Sequence, residues 1–191
     1  LHKFNERVNI GGRDVTDEEL SQAFEIVHKT AGDIKLSYFE YTTLAALVCF
    51  SRAKLGAVVL EIGLGGRLDA VNALDADIAV ITSIGLDHTK ILGDTIGKIA
   101  FEKAGIIKNN CQVVLGEVED EAYVVIKKRA EELHAELHVQ GKDFLGKFID
   151  GFSYIQKSPI NIATFSLPYP KIPFCCAPIA MRVITLLKEK G

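Results

Sequence analysis

Short apolar runs rich in β-branched residues alternate along this chain with stretches of helical periodicity, and this change of period constrains the fold most. Residues 57–62, 78–82, 112–115 and 137–140 are such runs, each of strand length. Continuous rather than alternating hydrophobicity is how strands read when a parallel sheet is covered on both faces. Between them, residues 95–107 and 120–133 space their apolar side chains helically. Strands alternating with helices of this length predict βαβ units and an α/β fold, a mostly parallel sheet flanked by helices.

Two helices precede that alternation. Thr16-Asp17-Glu18-Glu19 is a capping box, in which Thr16 accepts from the backbone three residues on and Glu19 reaches back. Leu20, Phe24 and Val27 follow at helical spacing, predicting a helix over residues 17–30. Leu44, Ala45, Leu47, Val48 and Phe50 give a second helix, residues 39–54, a broad apolar face before Gly56. Beyond Gly141 the texture changes. Residues 144–155 and 160–167, separated by Lys157-Ser158-Pro159, read as a small antiparallel β section near the C-terminal end, and residues 179–188 as an amphipathic helix.

Composition narrows the function. With 22 Lys+Arg against 25 Asp+Glu the net charge is −3, which argues against the footprint of a general nucleic-acid binder. No apolar run approaches the ~20 residues of a membrane helix, and no secretory leader is read in the first residues. A soluble protein is expected, with neither nucleic acid nor membrane as partner. Cys49, Cys111, Cys175 and Cys176 follow no CxxC spacing, and an adjacent pair is poorly placed to bridge itself or share a metal. Free or buried thiols in a reducing compartment are expected. The 191 residues suffice for one domain, yet they open on Leu1 and stop at Gly191 directly after a helical pattern, which reads as part of a longer protein.

The densest chemistry lies in Leu60-Glu61-Ile62-Gly63-Leu64-Gly65-Gly66-Arg67-Leu68-Asp69. A carboxylate at the carboxyl end of an apolar strand needs a cation, and strand ends of an open α/β sheet are where ligands bind. Two readings of Glu61 stay open: a salt bridge to Arg67 beside a glycine turn, or a metal ligand. The turn is not a dinucleotide fingerprint, because Leu68 occupies the third glycine position. His88 follows the next predicted strand, either as a capping or partly buried residue or as a ligand or acid–base group. Neighbouring parallel strands lie about 4.8 Å apart, so Glu61 and His88 at adjacent strand ends are placed to share one ion. An oxygen and nitrogen set without thiols suits a hard or borderline divalent cation. Lys103, in Phe101-Glu102-Lys103-Ala104-Gly105, reads locally as a solvated helix lysine. His134 and His138 have the spacing of a zinc pair, lack a third ligand, and are read as surface residues.

Residues 60–72, 81–95 and 102–108, in this order and spacing, resemble the signature segments of the bifunctional dihydrofolate synthase/folylpolyglutamate synthase family of the Mur ligase superfamily. The likeness extends upstream to residues 1–7 and 38–43, is close over residues 1–140 and weakens after Gly141. It implies a central ATPase domain of Mur ligase type, partial over residues 1–191, from an ATP-dependent ligase joining L-glutamate to dihydropteroate, to folates or to both through an acyl phosphate. It further implies Mg2+ held by Glu61, His88 and Lys103, with Lys103 carbamylated and catalytic. A pterin-bearing substrate would be held by Ser37, Tyr38, Phe39 and Glu40 and by Leu68, Asp69 and Ala70, with Phe39 as a stacking surface. Local pattern fits Phe39 equally as a core aromatic. Residues 1–7 resemble the end of a loop that folds over this substrate. A cytoplasmic monomer is expected.

The chain departs from the family's pattern in three places. It has no G-x-x-x-x-G-K-[ST] phosphate loop, since its Gly-Lys pairs are followed by Ile99, Asp143 and Phe148. The C-terminal glutamate-binding domain of the family is absent, and Phe174-Cys175-Cys176-Ala177-Pro178 stands where an asparagine-alanine-alanine is usual. Two rivals to a folate ligase follow, another amide ligase of Mur type and a non-catalytic fragment or remnant. The 191 residues alone are expected to be inactive.

Overall fold

Thr16 caps the first helix, α1 (Asp17–Ala31), as its sequence predicts. The Glu19 amide donates to the Thr16 hydroxyl at 3.2 Å and the Thr16 amide to the Glu19 carboxylate at 2.7 Å. The structure, a computed structural model, describes residues 2–148, 151–157 and 162–189. These fall into two compact units, Leu1–Gly63 with Asp69–Ala73, and Leu64–Leu68 with Leu74–Gly191.

In the first unit a short hairpin, β1 (Asn9–Ile10) and β2 (Arg13–Asp14), leads into α1 and then α2 (Tyr38–Ser51). Leu20, Ala23 and Val27 of α1 form one buried cluster with Ala45 and Cys49 of α2. Phe24 stacks on Tyr41 with ring centroids 5.6 Å apart, and the Tyr41 hydroxyl donates to the Phe24 carbonyl at 2.9 Å. α2 ends at Ser51, short of the predicted Lys54, because the Arg52 amide bonds back to Cys49 and Phe50 and tightens the last turn. The strand expected over residues 57–62 does not form. Among the described residues this segment joins no sheet, and Val59 is 93% exposed. A strand's backbone groups need a ladder partner, and none of the described sheets supplies one here.

The second unit is built on a parallel sheet in the order β3 (Ile78–Ile81), β4 (Gln112–Leu115), β5 (Glu136–Val139), with Ile78 level with Gln112 and Gln112 level with Glu136. α3 (Thr89–Leu92) and α4 (Ile96–Ala104) connect β3 to β4, and α5 (Asp120–Glu132) connects β4 to β5. Alternate side chains of β4 enter two cores. Val113 and Leu115 pack with Ala104, Ile107 and Ile126, whereas Val114 packs with Phe144, Tyr154, Ala177 and Ile179. This two-sided burial explains the unbroken apolar run, each fully buried aliphatic side chain being worth about 1.5–3 kcal/mol.

The second core is closed by an antiparallel sheet, β6 (Phe144–Lys147), β7 (Phe152–Lys157), β8 (Ile162–Leu167), and by α6 (Cys176–Glu189). The predicted antiparallel section is present, but its first strand is two: the chain reverses so that Phe144 pairs with Gln156. Ser158, Pro159, Ile160 and Asn161, part of the predicted break and of the last strand, lie outside the described residues. All four cysteines are free. No described helix is long and apolar enough to cross a membrane.

His138 corrects the sequence reading. His134 is exposed, but His138 is only 5% exposed, because its side chain turns from β5 towards Arg182 of α6, itself 7% exposed. An apolar environment admits such groups only when they are hydrogen-bonded, and these two bond to each other.

Candidate functional site

The N-terminus of α2 carries the predicted substrate residues. Ser37 is its N-cap: its hydroxyl accepts from the Glu40 amide at 3.3 Å, and its amide donates to the Glu40 carboxylate at 2.7 Å. These hydrogen bonds hold the Glu40 carboxyl below the usual carboxylate range. Ser37 and Glu40 thus fix the direction in which α2 starts, and Tyr38 and Phe39 ride on that first turn. Tyr38 lies edge-on to Phe4, centroids 6.4 Å apart, and is largely exposed.

Phe39 lies against the backbone of Gly63. A methyl group on Gly63 would stand 2.7 Å from Phe39 Cζ and 3.3 Å from Asp69 Oδ2, so only glycine admits this approach. Asp69 organises the turn, its two carboxylate oxygens accepting from the Gly63 and Val71 amides at 2.9 Å each. The first unit therefore brings Phe39, Asp69 and the adjacent Ala70 to one locality, at the start of a 3-10 turn, Ala70–Ala73. Phe39 keeps 37% of its surface exposed. Leu68 belongs to the second unit and is 80% exposed.

In that second unit the glycine turn packs on the end of α4. Arg67 is engaged within this unit. Its guanidinium donates to Glu102, from Nε at 3.1 Å and Nη2 at 2.9 Å, and its amide donates to the Glu102 carbonyl at 2.9 Å. The pairing spans 35 residues, and local spacing gave no signal for it.

Glu61 is exposed and lies in the first unit, not at the end of a strand. His88 lies in the second unit, beyond β3, and caps α3 in the left-handed region at φ 50°. Its amide donates to the Asp87 carboxylate at 2.7 Å, and its ring Nε2 lies 3.7 Å from Asp87 Oδ2. Among non-glycine residues, asparagine, aspartate and histidine adopt this backbone most readily, and Asn110 and His134 share it in this chain. Lys103 is half-buried on α4, one residue after Glu102. Among the described residues no three His, Cys, Asp or Glu side chains gather as a metal site. A carboxylate such as that of Glu61 and an imidazole such as that of His88 are donor types that a divalent cation of the Mg2+ or Mn2+ kind accepts.

The second unit thus joins a parallel sheet, β3-β4-β5, to a glycine turn seated on the helix before its central strand. Residues 14–166 match the Mur ligase middle domain, and the chain belongs to that family. It is 41% identical over 187 residues to the dihydrofolate synthase/folylpolyglutamate synthase of Haemophilus influenzae, over 98% of this chain and 42% of that protein. Among solved structures, it superposes with a TM-score of 0.89 and 38% identity on a bifunctional folylpolyglutamate synthase/dihydrofolate synthase with Mn, AMPPNP and L-glutamate bound, over 98% of this chain and 45% of that one. Escherichia coli FolC in complex with DHPP and ADP gives a TM-score of 0.88 at 36% identity, over 97% and 44% of the two chains. The chain thus spans less than half the length of these relatives.

Proposed function

We propose that this chain is part of an ATP-dependent amide ligase that adds L-glutamate to dihydropteroate, to folates or to both. The observation that carries this reading is the 41% identity maintained over 98% of the chain to an enzyme of that name. In the first step the substrate carboxylate attacks the γ-phosphorus of ATP, the bond to the bridging oxygen breaks, and ADP leaves an acyl phosphate. The glutamate amine then attacks the acyl carbon, and the tetrahedral intermediate collapses with loss of inorganic phosphate and a proton.

Charge governs both steps, because anionic oxygens must approach one another. Glu61, His88 and Lys103 would hold Mg2+, which would neutralise that charge. Lys103 serves as a carbamate: its neutral amine attacks CO2, the new N–C bond forms as one C=O pair moves to oxygen, and a proton leaves to solvent. A cationic side chain thereby becomes an anionic oxygen donor. Phe39 offers a face to the flat pterin, held at the start of α2 by the Ser37 and Glu40 cap, with Tyr38 beside it. Asp69 orders the turn at Ala70 beside it, and Leu68 is the remaining residue assigned to the substrate. The enzyme acts on small molecules as a cytoplasmic monomer, and the net charge of −3 on this chain speaks against a nucleic-acid partner.

Phosphate release dependent on dihydropteroate and glutamate tests this reading. The longer enzyme should turn over, and the 191 residues alone, without a G-x-x-x-x-G-K-[ST] loop to orient the phosphates, should not. In the longer enzyme Glu61→Gln and His88→Asn should each lower kcat by orders of magnitude with melting unchanged, asparagine being chosen because it tolerates the left-handed backbone. Near-normal turnover in both variants would exclude the metal assignment, and turnover by the short chain would exclude the dependence on a phosphate loop.

A further inference from the structure

Arg67, with the glycine before it, meets three successive residues in the last turn of α4, Phe101, Glu102 and Lys103. Its amide donates to the Glu102 carbonyl at 2.9 Å, its guanidinium grips the Glu102 carboxylate at 2.9 and 3.1 Å, and its Cζ lies 5.6 Å from the centroid of the Phe101 ring. The neighbouring glycine meets the third residue: a methyl group on Gly66 would stand 2.9 Å from the Glu102 carbonyl oxygen and 3.2 Å from that of Lys103. Carbonyls in the last turn of a helix lack intrahelical donors. Here the Arg67 amide supplies one to Glu102, together with the Gly105 amide at 3.3 Å.

A two-nitrogen grip on a carboxylate sets orientation as well as distance. Combined with the backbone bond and the close glycine contact, it fixes the height and rotation of the last turn of α4. Lys103 is on that turn, and its ammonium has no hydrogen bond or ion pair among the described residues. Only its backbone and its packing determine where the amine points.

We infer that Arg67 and Glu102 are positioning residues for Lys103, holding the end of α4 so that the amine is presented for carbamylation and the carbamate oxygens keep one direction. The inference rests on reading Lys103 as the carbamylated residue. Arg67 and Glu102 act through the backbone of Lys103. With side chains 44% and 21% exposed the pair is partly solvated and contributes little to global stability, so its loss should be felt in turnover more than in melting.

The test uses the full-length enzyme with three readouts: steady-state kinetics, melting, and the carbon-13 carbamate NMR signal after loading with labelled bicarbonate. Arg67→Ala, Arg67→Lys and Glu102→Gln should each lower kcat about a hundredfold, the loss expected of a misplacement near 1 Å. KM for ATP and glutamate should stay near the parent value, and the carbamate signal should weaken with melting unchanged. Lysine keeps the charge but cannot form the two-nitrogen grip, so it should not rescue. Glu102→Gln conserves size and carries the test should Arg67→Ala melt below the assay temperature. Near-parent kcat and a full carbamate signal in Arg67→Lys and Glu102→Gln, with Lys103→Ala inactive, would overturn the inference and leave the Lys103 reading standing. A lower kcat that tracks a fall in melting, with the carbamate intact, would overturn it too. An active Lys103→Ala enzyme would remove the Lys103 reading itself, and the inference with it.

Discussion

Arg182 on α6 donates to Nδ1 of His138 on β5 at 3.1 Å, and this bond sets the charge of the ring. A guanidinium has no acceptor, so Nδ1 accepts, the ring hydrogen sits on Nε2, and Nε2 donates to Gln112 Oε1 of β4 at 2.6 Å. Three elements are thereby joined through a neutral imidazole. Burial pushes the His138 pKa down, the Arg182 charge pushes it further, and Glu136, Asp143 and Glu189 oppose them.

The pH dependence follows from that direction. The unfolded ring titrates near its ordinary 6.5 and the folded ring below it. Stability from this group is complete above 6.5 and is lost as pH falls from there towards the folded value, because the unfolded state binds the proton first. The urea midpoint of the chain should fall through this window. His138→Gln should be less stable at neutral pH and show a shallower slope, and equal slopes in the two proteins would show that another group titrates.

The parts legible in the sequence are those whose signal is local. β4 was readable because both of its faces are buried, and α1 because Thr16 and Glu19 cap each other within four residues. Residues 57–62 carry a strand's composition, but no local feature states whether a ladder partner exists. Local spacing offers Arg67 the neighbour Glu61 as one of two open readings and gives no sign of Glu102, 35 residues away, with which its guanidinium pairs. A signal for the buried His138 was present but unread: Arg182 falls on the apolar face of α6, three residues after Ile179 and four before Leu186, both buried. A charge in that position announces a buried partner.

Ile126 and Val59 test that division between packed and merely apolar segments. Ile126 is fully buried between α5 and the sheet, and Ile126→Ala should cost about 2–5 kcal/mol in urea unfolding. Val59→Ser, at an exposed position outside any described sheet, should stay within about 0.5 kcal/mol. A comparable loss for Val59→Ser would mean that residues 57–62 are packed as the strand their composition predicts.

Phe39 and Gly63 test the substrate surface. An aromatic contact is worth about 0.5–1.5 kcal/mol beyond the area it buries, so in the full-length enzyme Phe39→Ala should raise KM for the pterin-bearing substrate about tenfold, with a smaller effect on kcat. Gly63→Ala should produce the same KM effect without touching the ring chemically, since its methyl group would stand 2.7 Å from Phe39 Cζ and displace the ring. Unchanged KM in both variants together with lower melting would make Phe39 a core aromatic only.

Lys103 separates the plain and the chemical readings of α4 most sharply. A solvated helix lysine can be replaced by arginine at little cost, since both keep the charge and a flexible stem. A carbamate cannot, because carbamylation requires the uncharged amine, a minor form of an ordinary lysine near neutral pH. Metal and neighbouring donors must hold the product for it to persist. In the full-length enzyme Lys103→Ala should therefore be nearly inactive and regain part of its turnover when a small carboxylate such as acetate is added, because a free oxygen donor can enter the vacated place. Lys103→Arg should be inactive and should not respond to acetate, its bulk and charge occupying that place without supplying an anionic oxygen. Most of the parent activity surviving in Lys103→Arg would show that Lys103 acts as a cation or as a surface residue, and would take the carbamate out of the mechanism.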